Sequence, residues 1–291
     1  MINTRKQHMP EFATFESDPK TLERKQMNFE TIILTKENNI ATLTLNRPEK
    51  KNTINGVMER ELAAALEDIG RDTEVRVMVL KAAGEKVFCG GGDISDTGPE
   101  RLGTTAQEIS TGLLKLYHSI MVPLYELSIP TIASVQGAAS SWGFDLVLAC
   151  DLRVGSENAR FNEGFTRVGL TPATGGVWLL PRVVGLPKAA ELIFTAEMIH
   201  AREAEKAGIL NRVVPAEELE KETMALAGQI AQMPPLAVRL SKLQLRRGLQ
   251  TDFSSSLDLA AQCQGICITS EDSKEAIAAM MEKREAQFKG K

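Results

Sequence analysis

Strand patterns and helix patterns alternate along the middle of the chain, and this alternation limits the fold more than any other feature. Residues 40–45 (IATLTL) alternate apolar with polar side chains, as a half-buried strand does. Residues 54–71 carry apolar side chains at helical spacing, and residues 75–80 (VRVMVL) form a mostly apolar strand pattern. The order then repeats, with a helical pattern over 109–126 and a buried strand pattern over 130–135. Such alternation predicts an α/β fold with crossover connections.

The two ends of the chain differ from this middle part. Residues 1–26 are polar and show no periodicity, so we expect a flexible N-terminal extension. Residues 27–233 are assigned to the α/β core, which ends at the pair Pro234-Pro235. Residues 234–291 are almost wholly helical in pattern. A helical tail after an α/β core often buries its apolar face against another subunit, so this segment is predicted to be an oligomerisation region.

Composition argues against several classes of protein. The net charge is −4 and the basic clusters are short, so a nucleic-acid surface is not expected. The chain has no run of about 18 apolar residues and its start lacks an apolar signal core, so we expect no membrane insertion and a cytoplasmic location. The four cysteines form no CxxC pair and the three histidines lie far from them in sequence, so no metal site is predicted.

Two glycine-bearing loops follow predicted strands. Residues 88–95 read FCGGGDIS, and residues 137–145 read GAASSWGFD between a buried strand and a short helix. Neither loop matches the phosphate-binding patterns of nucleotide sites. The first amides of a helix have no intrahelical partner and lie at the positive end of its dipole. Two loops that each supply one amide would form an oxyanion hole, although the glycines alone are more typical of ordinary loops and helix starts.

The order of five segments resembles the crotonase superfamily, the enoyl-CoA hydratase/isomerase family. The segments are IATLTLNRPEKKNTIN, VFCGGGDIS, PTIASVQGAASSWGFDLVLACDLRV, ARFNEGFTRVGLTPATGGVWLLPRVVG and AREAEKAGILNRVVP. The resemblance runs over about residues 29–288. It implies an α/β core built as a crotonase-like spiral of ββα repeats that binds acyl-CoA. It also implies a C-terminal helical part that forms homotrimers, which often pair into homohexamers.

In this family the thioester carbonyl lies between two backbone amides, and the resemblance assigns these amides to Gly92 and Trp142. CoA is carried as part of the substrate, so no separate cofactor is implied. The resemblance also places Lys50, Lys51 and Thr53 beside the adenine and phosphates of CoA, and it places Gly90, Asp93, Ile94 and Ser95 along the CoA path. It places Phe165 in the acyl pocket. Phe288 and Lys289 match a tail that reaches a CoA bound to its own or to a neighbouring subunit.

The carboxylates depart from the pattern of the family's hydratases, which commonly use two glutamates. The first position is Asp145, which is shorter than glutamate by one methylene group. The second is Phe165, and the position that some isomerases use is Ala173, so both usual places for a second acid are apolar. Glu163 is the nearest acid. It shares a face with Phe165 in an extended segment and not in a helical turn. Asp145 and Glu163 are therefore the candidate catalytic residues.

Other acidic positions and the second loop have alternative interpretations. Asp145 could serve only as a charge at a helix start, while Asp93 and Asp151 are interpreted as structural. Trp142 stands where many members of the family have a glycine. Its indole either narrows the acyl pocket or forms a wall against a flat ring.

Three functions are compatible with these residues. The retained acid at Asp145 favours an enoyl-CoA hydratase-like hydro-lyase that works through an enolate held in the oxyanion hole. The alternatives are an enoyl-CoA isomerase or another acyl-CoA hydrolase or decarboxylase, and a catalytically degenerate acyl-CoA-binding protein.

Overall fold

A computed structural model describes residues 28–96 and 103–291 of the chain. The predicted N-terminal extension, residues 1–26, lies outside the described residues. The described strands are β1 (Ile32–Glu37), β2 (Ile40–Leu45), β3 (Val77–Ala82), β4 (Val87–Cys89), β5 (Thr131–Val135), β6 (Ala138–Ser140), β7 (Leu152–Ser156), β8 (Arg160–Asn162), β9 (Ile199–His200) and β10 (Arg212–Val214).

Helices connect and cover these strands. They are α1 (Gly56–Arg71), α2 (Ala106–Glu126), α3 (Trp142–Ala149), α4 (Gly176–Val184), α5 (Leu186–Thr195), α6 (Ala201–Lys206), α7 (Leu219–Ala231), α8 (Pro235–Gly248), α9 (Phe253–Thr269) and α10 (Glu271–Glu282). Short 3₁₀ helices occur at Pro48–Lys50, Ile94–Asp96, Thr166–Val168 and Ala216–Glu218. Within the described ranges no helix is long and apolar enough to cross a membrane.

Two sheets form the core, and both are mainly parallel. The larger sheet has the strand order β1-β2-β3-β5-β7-β10, in which only the β1–β2 pair is antiparallel. The smaller sheet has the order β4-β6-β8-β9, with β4, β6 and β8 parallel to one another. The α/β fold with crossover connections is therefore confirmed.

The central strand β3 is buried on both faces along most of its length, which explains why it reads as a nearly continuous apolar run. Along β3, Met78 and Leu80 face the main core, which includes α1 and the smaller sheet. Val77 and Val79 face the opposite side, where they pack with residues of α7. Successive side chains of a strand point to opposite faces, so one apolar strand supplies both cores.

Side-chain caps fix where the helices begin. The Asn55 side chain accepts a hydrogen bond from the amide of Met58, so α1 starts at Gly56. Thr105 and Glu108 form a reciprocal capping box at the start of α2. The box moves the start of this helix three residues before the position that apolar spacing indicated, because capping depends on polar residues that carry no periodic signal.

Asp151 connects the C-terminal helices to the core. Its carboxylate accepts hydrogen bonds from the amide and hydroxyl of Thr131 at 2.8 and 2.9 Å. The same group pairs with Lys242 and Arg246 of α8, each at 2.6 Å. These cations hold the pKa of Asp151 below its usual range in spite of its burial. The contacts are those of a structural residue, as the sequence indicated.

The last three helices leave much apolar surface exposed. The exposed large apolar residues in and next to α8, α9 and α10 are Leu243, Leu245, Leu249, Phe253, Leu257, Ile266, Ile268, Ile277, Met280 and Met281. An exposed apolar surface of this extent is typical of a protein–protein contact. The division of the chain at residues 26 and 233, and the oligomerisation role of residues 234–291, stay predictions.

Replacing Asp151 with asparagine is expected to destabilise the protein. Lys242 and Arg246 would lose their counter-ion while largely buried, at a cost of roughly 2–4 kcal/mol. Urea unfolding at a fixed protein concentration measures the free energy of unfolding. Asp68→Asn is the control, because it breaks only a partly exposed pair with Lys36 and should cost less than about 1 kcal/mol. Equal losses for the two variants would contradict the structural role.

Candidate active site

The two glycine-bearing loops meet at one edge of the smaller sheet. They follow β4 and β6, which are parallel neighbours, so their carboxyl ends lie side by side. A Cβ atom added to Gly91 would lie 3.2 Å from the carbonyl oxygen of Ser140, and one added to Gly92 would lie 3.8 Å from Cε3 of Trp142. The structure therefore brings Gly92 and Trp142 together, as the sequence predicted.

Backbone hydrogen bonds hold the first loop and leave one amide free. The amide of Ile54 donates to the carbonyl of Gly91, and the amide of Asp93 donates to the carbonyl of Ile54, both at 2.9 Å. Within residues 28–96 and 103–291, the amides of Gly92 and Trp142 donate no hydrogen bond. Trp142 is the first residue of α3, so its amide also lies at the positive end of the helix dipole. Two such amides can stabilise an oxygen that becomes negative.

Ser141 holds a strained backbone conformation directly before α3. Its φ is 51° and its ψ is −121°, a region that residues other than glycine seldom adopt. The amide of Ser141 donates to the carbonyl of Asn162 at 2.9 Å, which fixes the turn from β6 into the helix. Strain of this kind costs about 1–3 kcal/mol and is common at functional sites, where it sets the direction of neighbouring groups.

The indole of Trp142 packs inward against α2. Its ring nitrogen donates to the sulfur of Met121 at 3.3 Å, and its ring meets that of Tyr117 edge-on, with centroids 5.6 Å apart. The side chain is only 4% exposed. The large side chain is therefore accommodated between α2 and α3, while the backbone amide keeps its place beside Gly92.

Asp145 and Glu163 face each other at a buried point beside Gly176. Asp145 lies on α3, one turn after Trp142, and Glu163 follows β8, the strand next to β6. A Cβ atom added to Gly176 would overlap both Oδ1 of Asp145 and Oε1 of Glu163. Both residues have 0% exposure. Glu163 thus lies next to Asp145, whereas Phe165 already has helical dihedral angles, at the start of the 3₁₀ helix Thr166–Val168.

The two carboxyl groups are in different electrostatic environments. Burial raises the pKa of both, because a charge is poorly solvated away from water. The Asp145 carboxylate is stabilised by the hydroxyl of Thr174, which donates to Oδ2, and by the amide of Gly176. Glu163 has no such donors, and the neighbouring charge of Asp145 raises its pKa further. At neutral pH we therefore expect an ionised Asp145 beside a protonated Glu163.

Neither carboxyl group has a charged partner of opposite sign. In the part of the chain that the structure describes, no ion pair involves Asp145 or Glu163. There, apart from the contact between the two groups themselves, Oδ1 of Asp145 and both carboxyl oxygens of Glu163 also have no hydrogen-bond partner. A buried carboxyl oxygen without a partner is costly, and a proton shared between two carboxyl groups reduces that cost. The arrangement is an acid–base pair in a dry site.

Sequence reasoning missed Thr174. This residue is 2% exposed and immediately follows Ala173, one of the two positions where an acid was sought. Its hydroxyl is the side-chain donor to Asp145. The only signal in the sequence was a threonine directly before the pair Gly175-Gly176, and threonine at such a place is equally typical of a helix start.

The structure brings most of the predicted CoA-path residues together at the same edge. Lys50 and Lys51 are exposed, and the carbonyl of Lys51 accepts a hydrogen bond from the amide of Gly90 at 2.9 Å. A Cβ atom on Gly90 would lie 3.2 Å from Cγ2 of Thr53. Ile94 is 77% exposed on the same loop. Their contact with CoA stays a prediction.

Asp93 organises this loop, in agreement with the structural interpretation. Its carboxylate accepts hydrogen bonds from Ser95 at 2.6 Å, Arg47 at 3.2 Å and Thr53 at 3.4 Å. The Ser95 hydroxyl is the main reason why the pKa of Asp93 lies below its usual range. Asp93 and Ser95 therefore act first on each other.

Phe288 and Lys289 lie away from the other predicted site residues within one chain. The carbonyl of Phe288 accepts from Arg76 at 2.6 Å, and the amide of Lys289 donates to Asp272 at 2.7 Å. Arg76 directly precedes β3, so its contact with Phe288 lies at the amino end of that strand. The loops of the site instead follow the carboxyl ends of strands. The six residues of β3 span about 20 Å. A role for this tail at a neighbouring subunit's CoA stays a prediction.

No metal-binding cluster accompanies the carboxyl pair. Over residues 28–96 and 103–291, no group of three or more histidine, cysteine, aspartate or glutamate side chains is placed to hold a metal ion. The four cysteines are free, and burial raises the pKa of Cys89 and Cys150 to about 12.

Comparison with known proteins gives one consistent family. Residues 35–291 match the sequence model described as enoyl-CoA hydratase/isomerase. The chain is 36% identical over 261 residues to the short-chain-enoyl-CoA hydratase of Clostridium acetobutylicum, which covers 90% of this chain and 98% of that protein. It is 33% identical over 255 residues to the 1,2-epoxyphenylacetyl-CoA isomerase of Escherichia coli. This alignment covers 88% of this chain and 97% of that protein.

A solved structure also superposes on most of this chain. The crystal structure of an enoyl-CoA hydratase from Bacillus anthracis superposes with a TM-score of 0.84 at 32% identity, and covers 90% of this chain and 100% of that chain. The match includes the core and the C-terminal helices. It confirms the fold that the sequence predicted, a spiral of ββα repeats followed by a helical part.

Replacing Gly176 with alanine is expected to destabilise the protein. The added methyl group would overlap two buried carboxyl oxygens, and overpacking of this kind costs about 1–3 kcal/mol. Gly228→Ala is the matched control, because it lies on α7 and its added methyl group meets nothing within 4 Å. The control should be neutral or gain up to about 1 kcal/mol. Urea unfolding of both variants tests this, and equal stability would show that the two carboxyl groups do not meet at Gly176.

Replacing Glu163 with glutamine is expected to change how stability depends on pH. The folded protein keeps the Glu163 proton to a higher pH than the unfolded chain does, because its pKa is raised. The wild type therefore loses stability as pH rises from the unfolded pKa towards the folded one, by up to about 1.4 kcal/mol per pH unit. Glutamine has no proton to lose, so the stability of the variant relative to wild type should increase between pH 5.5 and 8.

The measurement is urea unfolding at both pH values and at one protein concentration. Glu217→Gln changes an exposed glutamate in the same way, and its stability should follow the wild-type dependence on pH. Parallel curves for Glu163→Gln and wild type would show that Glu163 is already ionised in the folded protein.

Proposed function

This chain belongs to the enoyl-CoA hydratase/isomerase family, and we propose that it adds water to the double bond of an enoyl-CoA thioester, or removes it in the reverse direction. The observation that carries the proposal is the buried pair Asp145–Glu163, which holds one carboxylate and one carboxylic acid next to each other. Hydration of a conjugated thioester needs both a base for the water and an acid for the α carbon. The two hydratases compared above support the same reaction.

The reaction can be written with the groups of this site. The Asp145 carboxylate takes a proton from water as the water oxygen bonds to the β carbon. The electron pair of the double bond moves towards the thioester oxygen, where the amides of Gly92 and Trp142 stabilise the enolate, each by roughly 3 kcal/mol. Glu163 then gives its proton to the α carbon. One water is consumed, and a later proton transfer from Asp145 to Glu163 restores the pair.

In this proposal the second acid comes from a neighbouring position in the sequence. Phe165 occupies the aligned position, but Glu163 lies two residues earlier, and its carboxyl group meets Asp145 at Gly176. This supports a two-carboxyl mechanism over the one-base alternatives, and it argues against a degenerate binding protein. Burying two carboxyl groups without a cation lowers the stability of the fold, so a purely structural role does not account for the pair.

Both carboxyl groups are closed off from solvent in this structure. We propose that binding of the acyl group opens a path to them next to α2, whose Met121 and Tyr117 cover the indole of Trp142. A site that excludes water around the acid protects the proton of Glu163 until the substrate is in place.

Substrate binding and assembly complete the proposal. Lys50, Lys51 and Thr53 would hold the adenine and phosphates of CoA, which arrives as part of the substrate and leaves no need for another cofactor. The exposed apolar surface of α8–α10 supports a homotrimer or homohexamer. Four free cysteines support a reducing, cytoplasmic location.

An isomerase is the second candidate. A carboxyl pair that holds one proton can also move a proton between two carbons, and one of the relatives named above is an isomerase. Ala173 lacks the acid that some isomerases of the family use, which places this candidate second. Product analysis distinguishes the two, because hydration adds the mass of water and isomerisation does not change the mass.

Replacing Asp145 with asparagine is expected to lower kcat by about 10²–10⁴-fold, the usual contribution of a positioned base. The affinity for a CoA ester should stay nearly unchanged, since the CoA path lies on other loops. The assay follows the loss of the conjugated thioester absorbance with short 2-enoyl-CoA esters, and mass spectrometry identifies the product. Asp68→Asn, at an ion pair on the surface, should keep wild-type kcat. A fully active Asp145→Asn variant would refute the assignment.

A further inference from the structure

We propose that the hydroxyl group of Tyr117 is a third catalytic group, which donates a hydrogen bond to the water oxygen that adds to the β carbon. This proposal rests on the hydration reaction proposed above. Tyr117 is not one of the two acids, and it does not lie in either of the two glycine-bearing loops.

Tyr117 lies over the first turn of α3. Its ring on α2 meets the ring of Trp142 edge-on, at 5.6 Å between centroids and 84° between planes. Trp142 and Asp145 are three residues apart at the start of α3, so they lie on the same face of that helix. The phenol therefore stands beside the turn that supplies both the second oxyanion amide and the catalytic carboxylate.

The Tyr117 hydroxyl is a neutral donor in the field of Asp145. Burial and, next, the negative charge of Asp145 raise the pKa of the phenol above its ordinary value, so it keeps its proton in the working pH range. The side chain is only partly buried. Within residues 28–96 and 103–291, its hydroxyl makes no hydrogen bond. A tyrosine hydroxyl at an apolar wall normally has a polar partner.

With an aspartate at position 145, a second group is needed to hold the water that adds to the β carbon. Asp145 is one methylene group shorter than glutamate, and one of its oxygens is already occupied by Thr174. A water held only by Oδ1 could rotate out of line with the β carbon. A phenol that donates to the same water oxygen fixes its position, while Asp145 accepts the proton that leaves.

The step balances without any further reactant. One O–H bond of water breaks and its proton goes to Asp145, as the oxygen forms its bond to the β carbon. Tyr117 keeps its own proton throughout and only donates a hydrogen bond. In the dehydration direction the same contact stabilises the departing hydroxide as Asp145 returns the proton. Loss of the contact should therefore affect both directions equally.

Tyr117→Phe tests the proposal, since it removes the hydroxyl and keeps the ring against Trp142. We expect kcat to fall by about 10–100-fold, with KM changed by less than about threefold because the CoA contacts are untouched. Tyr125→Phe is the matched control. Tyr125 lies two turns later on α2, where it packs edge-on against Trp178 at 5.3 Å, and this variant should keep kcat within twofold. Wild-type kcat in Tyr117→Phe would overturn the proposal.

A double variant tests whether Tyr117 and Asp145 act on the same water. In the Asp145→Asn background the added Tyr117→Phe change should lower the rate by less than about threefold, because the activated water is already lost. Full additivity of the two losses would overturn the proposal, since it would show that the hydroxyl acts elsewhere.

Fluorinated tyrosine supplies a readout that packing alone would not move. The chain contains two tyrosines, so polyfluorinated tyrosine incorporated into the Tyr125→Phe protein labels only position 117. Fluorination lowers the pKa of the phenol, and an ionised phenol cannot donate. The alkaline limit of kcat should therefore move to lower pH, and an unmoved limit would contradict the proposal.

The outcomes separate this proposal from the one on which it rests. A wild-type protein that hydrates no enoyl-CoA ester would refute both. A wild type that hydrates its substrate, with Tyr117→Phe equally active, would refute only the role of Tyr117.

Discussion

Two carboxyl groups that share one dry site, without a cation, are the constraint on which the rest of the active site depends. Two buried negative charges so close together cannot coexist, so one group keeps its proton. The hydroxyl of Thr174 and the amide of Gly176 favour ionisation of Asp145 over Glu163, because both donate to the Asp145 carboxyl group. Glycine at position 176 is needed for the two oxygens to approach. An acid and a base side by side follow directly from this arrangement.

Parallel strands make this meeting possible. β4, β6 and β8 run in one direction in the smaller sheet, so the residues that follow them collect at one edge. The first strand leads to Gly92, the second to Trp142 and Asp145, and the third to Glu163. The start of α4 then closes the site from the other side with Thr174 and Gly176. Gly92 and Glu163, which are 71 positions apart in the chain, are thus brought to the same edge by strand order.

The parts of the site that could be predicted are those fixed by this order. The resemblance to the family pointed to Gly92, Trp142 and Asp145, and the parallel order of β4 and β6 explains why the two loops that carry them meet. The position of Glu163 could not be decided, because it depends on whether the chain is still extended after β8 or has turned into the 3₁₀ helix that Phe165 starts. Thr174 and Tyr117 come from other segments, and only tertiary packing places Thr174 against Asp145 and Tyr117 against Trp142.

The side chain of Trp142 links the backbone amide of this residue, the proposed oxyanion donor, to α2, the helix that packs against the indole. A backbone donor does not depend on the side chain of its residue, so Trp142 can offer its amide as a glycine would. Its indole, however, is held by the sulfur of Met121 and the ring of Tyr117. In the proposed mechanism, a shift of α2 on entry of the acyl group would act directly on the residue that bears the second amide. The proposal thus connects recognition of the acyl group with stabilisation of its enolate through the side chain of Trp142.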